Sequence, residues 1–145
     1  MRVGFYQFDP QFGEVAKNLE LVASGYQFLS QQEAHQLAGP VPDGPTVRCL
    51  IDIAKRRKLH LVAGLPERSG SRCYNSAVVV GPSGFLGCYR KTHLFFEETQ
   101  YFTPGDSGFL VWDIGAAKIG IMICFDWYYP EAARTLARHE VEKSG

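Results

Sequence analysis

The chain of 145 residues has no net charge, since fifteen Lys and Arg are balanced by fifteen Asp and Glu. Without a global field to gather polyanions, neither nucleic acid nor an anionic membrane surface is an expected partner. No apolar stretch approaches the roughly 20 residues a bilayer-spanning helix needs, so a transmembrane reading is set aside. The four cysteines, Cys49, Cys73, Cys88 and Cys124, contain no CxxC pair, which argues against a zinc ribbon or a redox dithiol. The opening MRVGFYQFDP lacks the basic region, apolar core and small-residue cleavage site of a secretory signal, and reads instead as a strand. A reducing, cytoplasmic setting with free thiols is therefore expected. Internal repeats and low-complexity segments are lacking too.

What is present is the composition of one ordinary globular domain, with 46% hydrophobic and 21% charged residues. Val3, Phe5 and Tyr6 alternate in a strand from Arg2 to Phe8, and Val15, Leu19 and Val22 mark a short helix from Glu14 to Ala23. After Ser24-Gly25-Tyr26, the stretch to Pro45, rich in Gln, Gly and Pro, reads as irregular. Pro45 then suits the first turn of a helix with an apolar stripe of Val47, Leu50, Ile51 and Ala54. Lys55, Arg56, Arg57 and Lys58 fit its solvated end, where cations complement the dipole.

Strands are expected at Leu59 to Gly64, Asn75 to Val80 and Phe85 to Tyr89, the last two joined in a hairpin by Pro82-Ser83-Gly84. A loop follows from Arg90 to Gly108, then strands near Leu110 to Trp112 and at Lys118 to Cys124, and a helix from Pro130 to His139. The interleaving indicates a layered α/β domain with helices on a mixed sheet, whose chemistry gathers at strand ends.

Cys124 ends the most apolar strand, a place that suits a buried filler as well as a nucleophile. The sequel FDWYYPEAAR brings a helix N-terminus near the sulfur, which favours thiolate. Asp126, Tyr128 and Tyr129 read either as pocket walls or as polar turn residues. The loop CYRKTHLFFEETQYFTPGD holds Lys91, His93, Glu97 and Glu98 among Leu94, Phe95, Phe96, Tyr101 and Phe102. So much apolar surface implies that the loop folds back onto the domain. His93 reads as a hydrogen-bonded structural residue.

The stretches VAGLPERSGSRCYNSAVVVGPSG, YRKTHLF and GIMICFDWYYPEAAR, with Gln7 on the opening strand, together resemble the nitrilase superfamily of carbon-nitrogen hydrolases. The resemblance implies an αββα sandwich, a Glu-Lys-Cys triad, a small-molecule amide or nitrile substrate, no metal or organic cofactor, and association into dimers or larger homo-oligomers. Matched by motif, Cys124 takes the nucleophile position, Lys91 the triad lysine, and Glu98 the additional glutamate, with Glu97 its close competitor. A thioester on Cys124 follows from that assignment, with Lys91 and the backbone N–H after the cysteine facing the developing oxyanion.

The family's triad glutamate belongs to an apolar run ending in Pro-Glu before a Gly-Tyr pair. Here Gly25-Tyr26 is present and the run is not, so a deletion of roughly 20 residues is expected near residues 23 and 24. Leu65-Pro66-Glu67 imitates the missing ending, yet its context gives Glu67 a supporting role first and the role of general base only second. The polar segment after Arg138 stands where the family continues with another strand. Residues 1–145 are thus expected to form the N-terminal part of the sandwich, lacking one early strand and the C-terminal half and truncated after about residue 138. Such a chain is expected to be a weak or inactive amidase-type hydrolase alone, the alternative being a non-catalytic binding or regulatory remnant that pairs with a full-length relative.

Overall fold

The computed structural model describes residues 31–142, and the side chains of residues 34–139. The strand expected at Arg2 to Phe8, the helix at Glu14 to Ala23 and the junction near Gly25-Tyr26 lie outside the described residues. Among these residues the architecture is α/β, built on a three-stranded antiparallel sheet of β1 (Leu61–Ser69), β2 (Arg72–Gly81) and β3 (Gly84–Arg90), in that order. A second, two-stranded antiparallel sheet pairs β4 (Val111–Asp113) with β5 (Lys118–Gly120). The expected mixed sheet is antiparallel in every named strand pair; parallel pairing is confined to an isolated bridge between Gly39 and Glu67.

The stretch read as irregular contains a helix, α1 (Gln31–Leu37). Its sequence QQEAHQL has no Gly, Pro or β-branched residue to oppose helix formation, and Ala34 packs with Cys73 and Phe102. Helix α2 (Pro45–Arg57) starts on its proline as expected and stops where Lys58 turns left-handed at φ 54°. Lys55, Arg56 and Arg57 are exposed in the last turn, as the dipole argument requires.

Strand β1 runs five residues beyond the expected end at Gly64, taking Pro66 and Glu67 into the ladder opposite Asn75 and Tyr74. The outer side of β1 is met there by Gly39, whose N–H donates to Pro66 O at 3.3 Å and whose carbonyl accepts from Arg68 N at 2.8 Å, so the missing N–H of Pro66 leaves the ladder to β2 intact. Gly70, at φ 60°, supplies the left-handed step of the two-residue turn into β2.

Pleating divides the side chains of the sheet between two cores. Ala63, Leu65, Val78 and Val80 meet Val47, Leu50 and Ala54 of α2 on one face. On the other, Ala77, Val79 and Tyr89 meet Ile121, with Trp112, Phe109 and Ile119 packed around them. The small second sheet thus covers the face that α2 leaves open.

Strand β5 ends at Gly120, four residues short of the expected strand to Cys124. The N–H of Ile123 donates to the Asp126 side chain at 2.9 Å, so it is spent on a local turn and not on a ladder. A 3₁₀ helix follows at Cys124–Tyr128, and α4 (Pro130–Glu142) extends three residues past the expected end at His139. Among the described residues no helix is long and apolar enough to cross a membrane.

Since Leu50 is 1% exposed and central to the α2 contact, Leu50→Ala is expected to destabilise the chain by about 2–5 kcal/mol, read from urea unfolding midpoints.

Candidate functional site

Strand β3 delivers two consecutive cations to opposite sides of the sheet. Arg90 lies opposite Ser76 on the α2 face, and its guanidinium grips Glu67 with Nε at 3.0 Å and Nη2 at 2.5 Å. Ser76 Oγ adds a third bond to Glu67 at 2.7 Å, and the guanidinium stacks 4.0 Å from the Tyr74 ring centroid. The hydrogen bond to Glu67 raises the Arg90 pKa, while Arg90 in turn holds the Asp106 carboxyl below its ordinary value. Glu67 is therefore a buried structural carboxylate, and the structure does not bring it to Lys91, which disfavours the general-base reading.

Lys91, the next residue, is anchored at the backbone by donating to Asn75 O and accepting from Gly105 N, both at 2.8 Å. Gly105 must be glycine there, because a Cβ would collide with the carbonyl of Arg90. The Lys91 side chain is 1% exposed, and its ammonium meets Glu98 Oε2 at 2.5 Å. Burying a cation costs several kcal/mol unless an opposite charge and further hydrogen bonds accompany it. Here the phrase EETQY forms the single turn α3 (Glu98–Tyr101 preceded by Glu97), which points Glu98 inward. Glu98 also accepts from Phe95 N at 2.7 Å and from Asn75 Nδ2 at 2.8 Å. Of the two competing glutamates, Glu98 touches the lysine, whereas Glu97 meets the Tyr101 hydroxyl at 3.3 Å on the surface.

The segment expected to fold back does so through Phe102, which is buried, and through Leu94 and Tyr101, which pack beside it. Phe95 and Phe96 stay exposed, Phe96 at 78%. Phe95 instead leans on Phe125, centroids 4.9 Å apart, in a row of rings that continues to Tyr128 and Tyr129.

Cys124 heads the 3₁₀ helix and is exposed, so it is not the buried filler considered from sequence. Its φ of 46° is left-handed, an uncommon conformation for a residue with a Cβ. The turn expected after the cysteine is a 3₁₀ helix, and the helix expected beyond it, α4, starts at Pro130 as read from the sequence. Among the described residues its thiol makes no hydrogen bond to Lys91 or Glu98.

Two residues further on, Asp126 is 0% exposed and central to a network. Its Oδ2 accepts from Tyr89 OH at 2.7 Å and from Ile123 N, and its Oδ1 accepts from His93 N at 3.0 Å. His93 Nδ1 lies 2.9 Å from Oδ1, which places the ring proton on Nδ1 because a carboxylate only accepts. The imidazole stacks on Tyr129 at 4.0 Å, consistent with the structural role read for His93. Burial first, and then Asp126, push the Tyr89 hydroxyl pKa up.

Asn75 was not singled out from sequence, although a signal was available. On the β2 face that carries Cys73, Ala77 and Val79, it is the polar member. Among the described residues no group of three or more His, Cys, Asp or Glu side chains is placed to hold a metal ion.

Three outcomes follow from this geometry. Glu98→Gln strands the ammonium of Lys91 and is expected to cost about 3 kcal/mol or more in urea unfolding. Lys91→Met is expected to cost less, because Glu98, 24% exposed, keeps its Asn75 and Phe95 donors. In native protein treated with iodoacetamide, peptide mapping is expected to find Cys124 alkylated first. Cys88, pushed up to about 12 chiefly by burial and then by Glu67, and buried Cys73 react only on unfolding.

Comparison with known proteins identifies the family. The carbon-nitrogen hydrolase family model matches residues 20–143. A nitrilase of Pyrococcus abyssi is 43% identical over 158 aligned positions, covering 94% of this chain and 60% of the relative. A citrullinase of Francisella tularensis is 40% identical over 106, covering 70% and 37%. The crystal structure of a carbon-nitrogen hydrolase from Helicobacter pylori G27 superposes with a TM-score of 0.60 at 39% identity, over 63% of this chain and 33% of that one. This chain thus spans less than two thirds of these relatives. With the family model running through the α2 sheet, the Lys91 loop and the Cys124 turn alike, the chain belongs to the carbon-nitrogen hydrolase family, of whose fold it holds a part.

Proposed function

We propose that this chain is a hydrolase of non-peptide carbon-nitrogen bonds, of amidase type, in which Cys124 is the nucleophile, Lys91 the oxyanion-stabilising cation and Glu98 the residue that orients that cation. The observation that carries the reading is the buried Lys91–Glu98 pair, set in a loop tied through Asp126 to the turn that exposes Cys124. A buried ammonium on a rigid strand end, already oriented by a carboxylate, is suited to meet negative charge developing on a carbonyl oxygen. An exposed thiol suits attack from solvent-accessible substrate, and a reducing cytoplasm keeps it free.

In the reaction, Cys124 Sγ bonds to the carbonyl carbon of a small amide and the C–N bond breaks. The thiol proton ends on the departing nitrogen, which leaves as ammonia or an amine. Water then cleaves the thioester to a carboxylic acid and restores the thiol. A nitrile enters by the same attack on its carbon, but the amide is the favoured substrate, on the breadth of the family and not on any pocket residue.

Turnover by this chain alone is weak. Positioned proton transfer contributes about 10²- to 10⁴-fold in such steps, and Glu98 is the one carboxylate that touches Lys91 among the described residues. A deletion near residues 23 and 24 accounts for the shortage. The alignment with the Pyrococcus abyssi protein has 158 positions against 145 residues in the chain, so that relative carries residues inside the matched span for which this chain has none.

Intact-mass measurement after incubation with a panel of short amides tests the reading. An acyl adduct on the wild type is expected, absent in Cys124→Ala and formed about 10²- to 10³-fold more slowly in Lys91→Met. Adduct persisting in Cys124→Ala, or a thiol that iodoacetamide labels but no amide acylates, would sink it.

A further inference from the structure

We infer that Asp126 is a positioning residue for acyl transfer, fixing the direction from which the Cys124 thiol approaches a carbonyl relative to Lys91. The inference rests on the assignment of Cys124 and Lys91 made above.

The placement of its four donors carries the argument. Tyr89 and His93 stand two residues before and two residues after Lys91, and both bind the Asp126 carboxylate. Ile123 stands immediately before Cys124, and its N–H binds the same carboxylate, which itself sits two residues after the cysteine. One buried side chain therefore brackets both candidate groups. The return bond from Asp126 N to Ile123 O, at 3.2 Å, closes a small ring around Cys124. Left-handed φ is uncommon for a residue with a Cβ, and this ring is a local constraint on Cys124 at φ 46°.

The carboxylate can serve as this clamp only because both oxygens accept. An asparagine offers one acceptor and one NH₂ donor. In either orientation its NH₂ group faces a backbone N–H, that of Ile123 or that of His93, and the link between turn and loop is broken on one side.

The test separates orientation from mere reactivity. Acylation by p-nitrophenyl acetate forms an S–C bond, breaks the C–O bond, passes the thiol proton to p-nitrophenol, and builds negative charge on the carbonyl oxygen, where Lys91 would act. Alkylation by iodoacetamide displaces iodide at a saturated carbon and develops no oxyanion. The ratio of the two rates at Cys124, relative to that of free N-acetylcysteine, therefore reads positioning, whereas a general loss of structure moves both rates together.

The wild-type ratio is expected to exceed that of N-acetylcysteine by about tenfold or more, and Asp126→Asn to return it to the free-thiol value with alkylation changed less than roughly threefold. Retention of the wild-type ratio in Asp126→Asn overturns the inference. Should Asp126→Asn fail to fold, Tyr89→Phe removes one donor to Oδ2 and is expected to give a smaller loss in the ratio at unchanged alkylation; an unchanged ratio there counts against the inference equally. A wild-type ratio no higher than that of N-acetylcysteine, seen before any variant is made, overturns the assignment of Cys124 itself and this inference with it.

Discussion

The two-residue period of β3 is the constraint on which the rest of the molecule depends. Arg90 and Lys91 are adjacent and both cationic, and a pleated strand sends adjacent side chains to opposite faces. Each then needs its own carboxylate, and each finds one. Glu67 reaches Arg90 from β1 through the α2 side, in company with Ser76 and Tyr74. Glu98 reaches Lys91 from the loop on the opposite side, in company with Asn75. The first pair locks the end of the sheet, with Glu67 held by Arg90 and Ser76. The second is held as firmly but has one member partly open to solvent. Had the register of β3 slipped by one residue, the lysine would point into the α2 core and the arginine into the site.

That division also explains why the loop after β3 is so densely tied. Carrying a buried ammonium at the end of a strand is costly unless the backbone on either side is immobile. Gly105 and Asn75 fix the main chain of Lys91 itself, Ser107 Oγ receives the N–H of Arg90 at 2.9 Å, and Asp126 takes His93. The apolar side chains of the loop divide, since Phe95 and Phe96 remain in solvent while Phe102 and Leu94 pack beside Ala34.

Much of the frame was legible in the sequence because it rests on local rules. The apolar stripe and leading proline announced α2, and two strand-like runs joined by Pro82-Ser83-Gly84 announced the hairpin. The pairing of YRKTH with a later cysteine pointed to the two loops that the Asp126 network does bring together. Less legible were features decided by contacts distant in sequence. Helix α1 forms in a Gln-rich stretch because Ala34 finds Cys73 and Phe102, and no periodicity in seven residues could reveal that. The run to Cys124 reads as one apolar strand, but Ile121 turns into the core against Tyr89 and Val79, and Ile123 gives its N–H to a side chain three residues on. For Asp126 the sequence leaves pocket wall and turn residue open, because its partners, Tyr89 and His93, are more than thirty positions away in sequence.

The two halves of the candidate site differ in how much of the fold each requires. The lysine half is completed within β2, β3 and the loop that follows: Asn75, Lys91, Glu98 and Gly105 satisfy one another, and Lys91 is already dry. The cysteine half borrows its order, since Cys124 lies on a 3₁₀ turn with an exposed thiol and takes its backbone conformation from a carboxylate that in turn depends on Tyr89 and His93. A preorganised cation costs nothing further when charge develops, whereas a nucleophile on a borrowed turn is only as well aimed as the bonds that hold the turn. In the reaction proposed above, the lysine side is therefore the robust part of the candidate site, and the cysteine side depends on how firmly the buried carboxylate of Asp126 couples its turn to it.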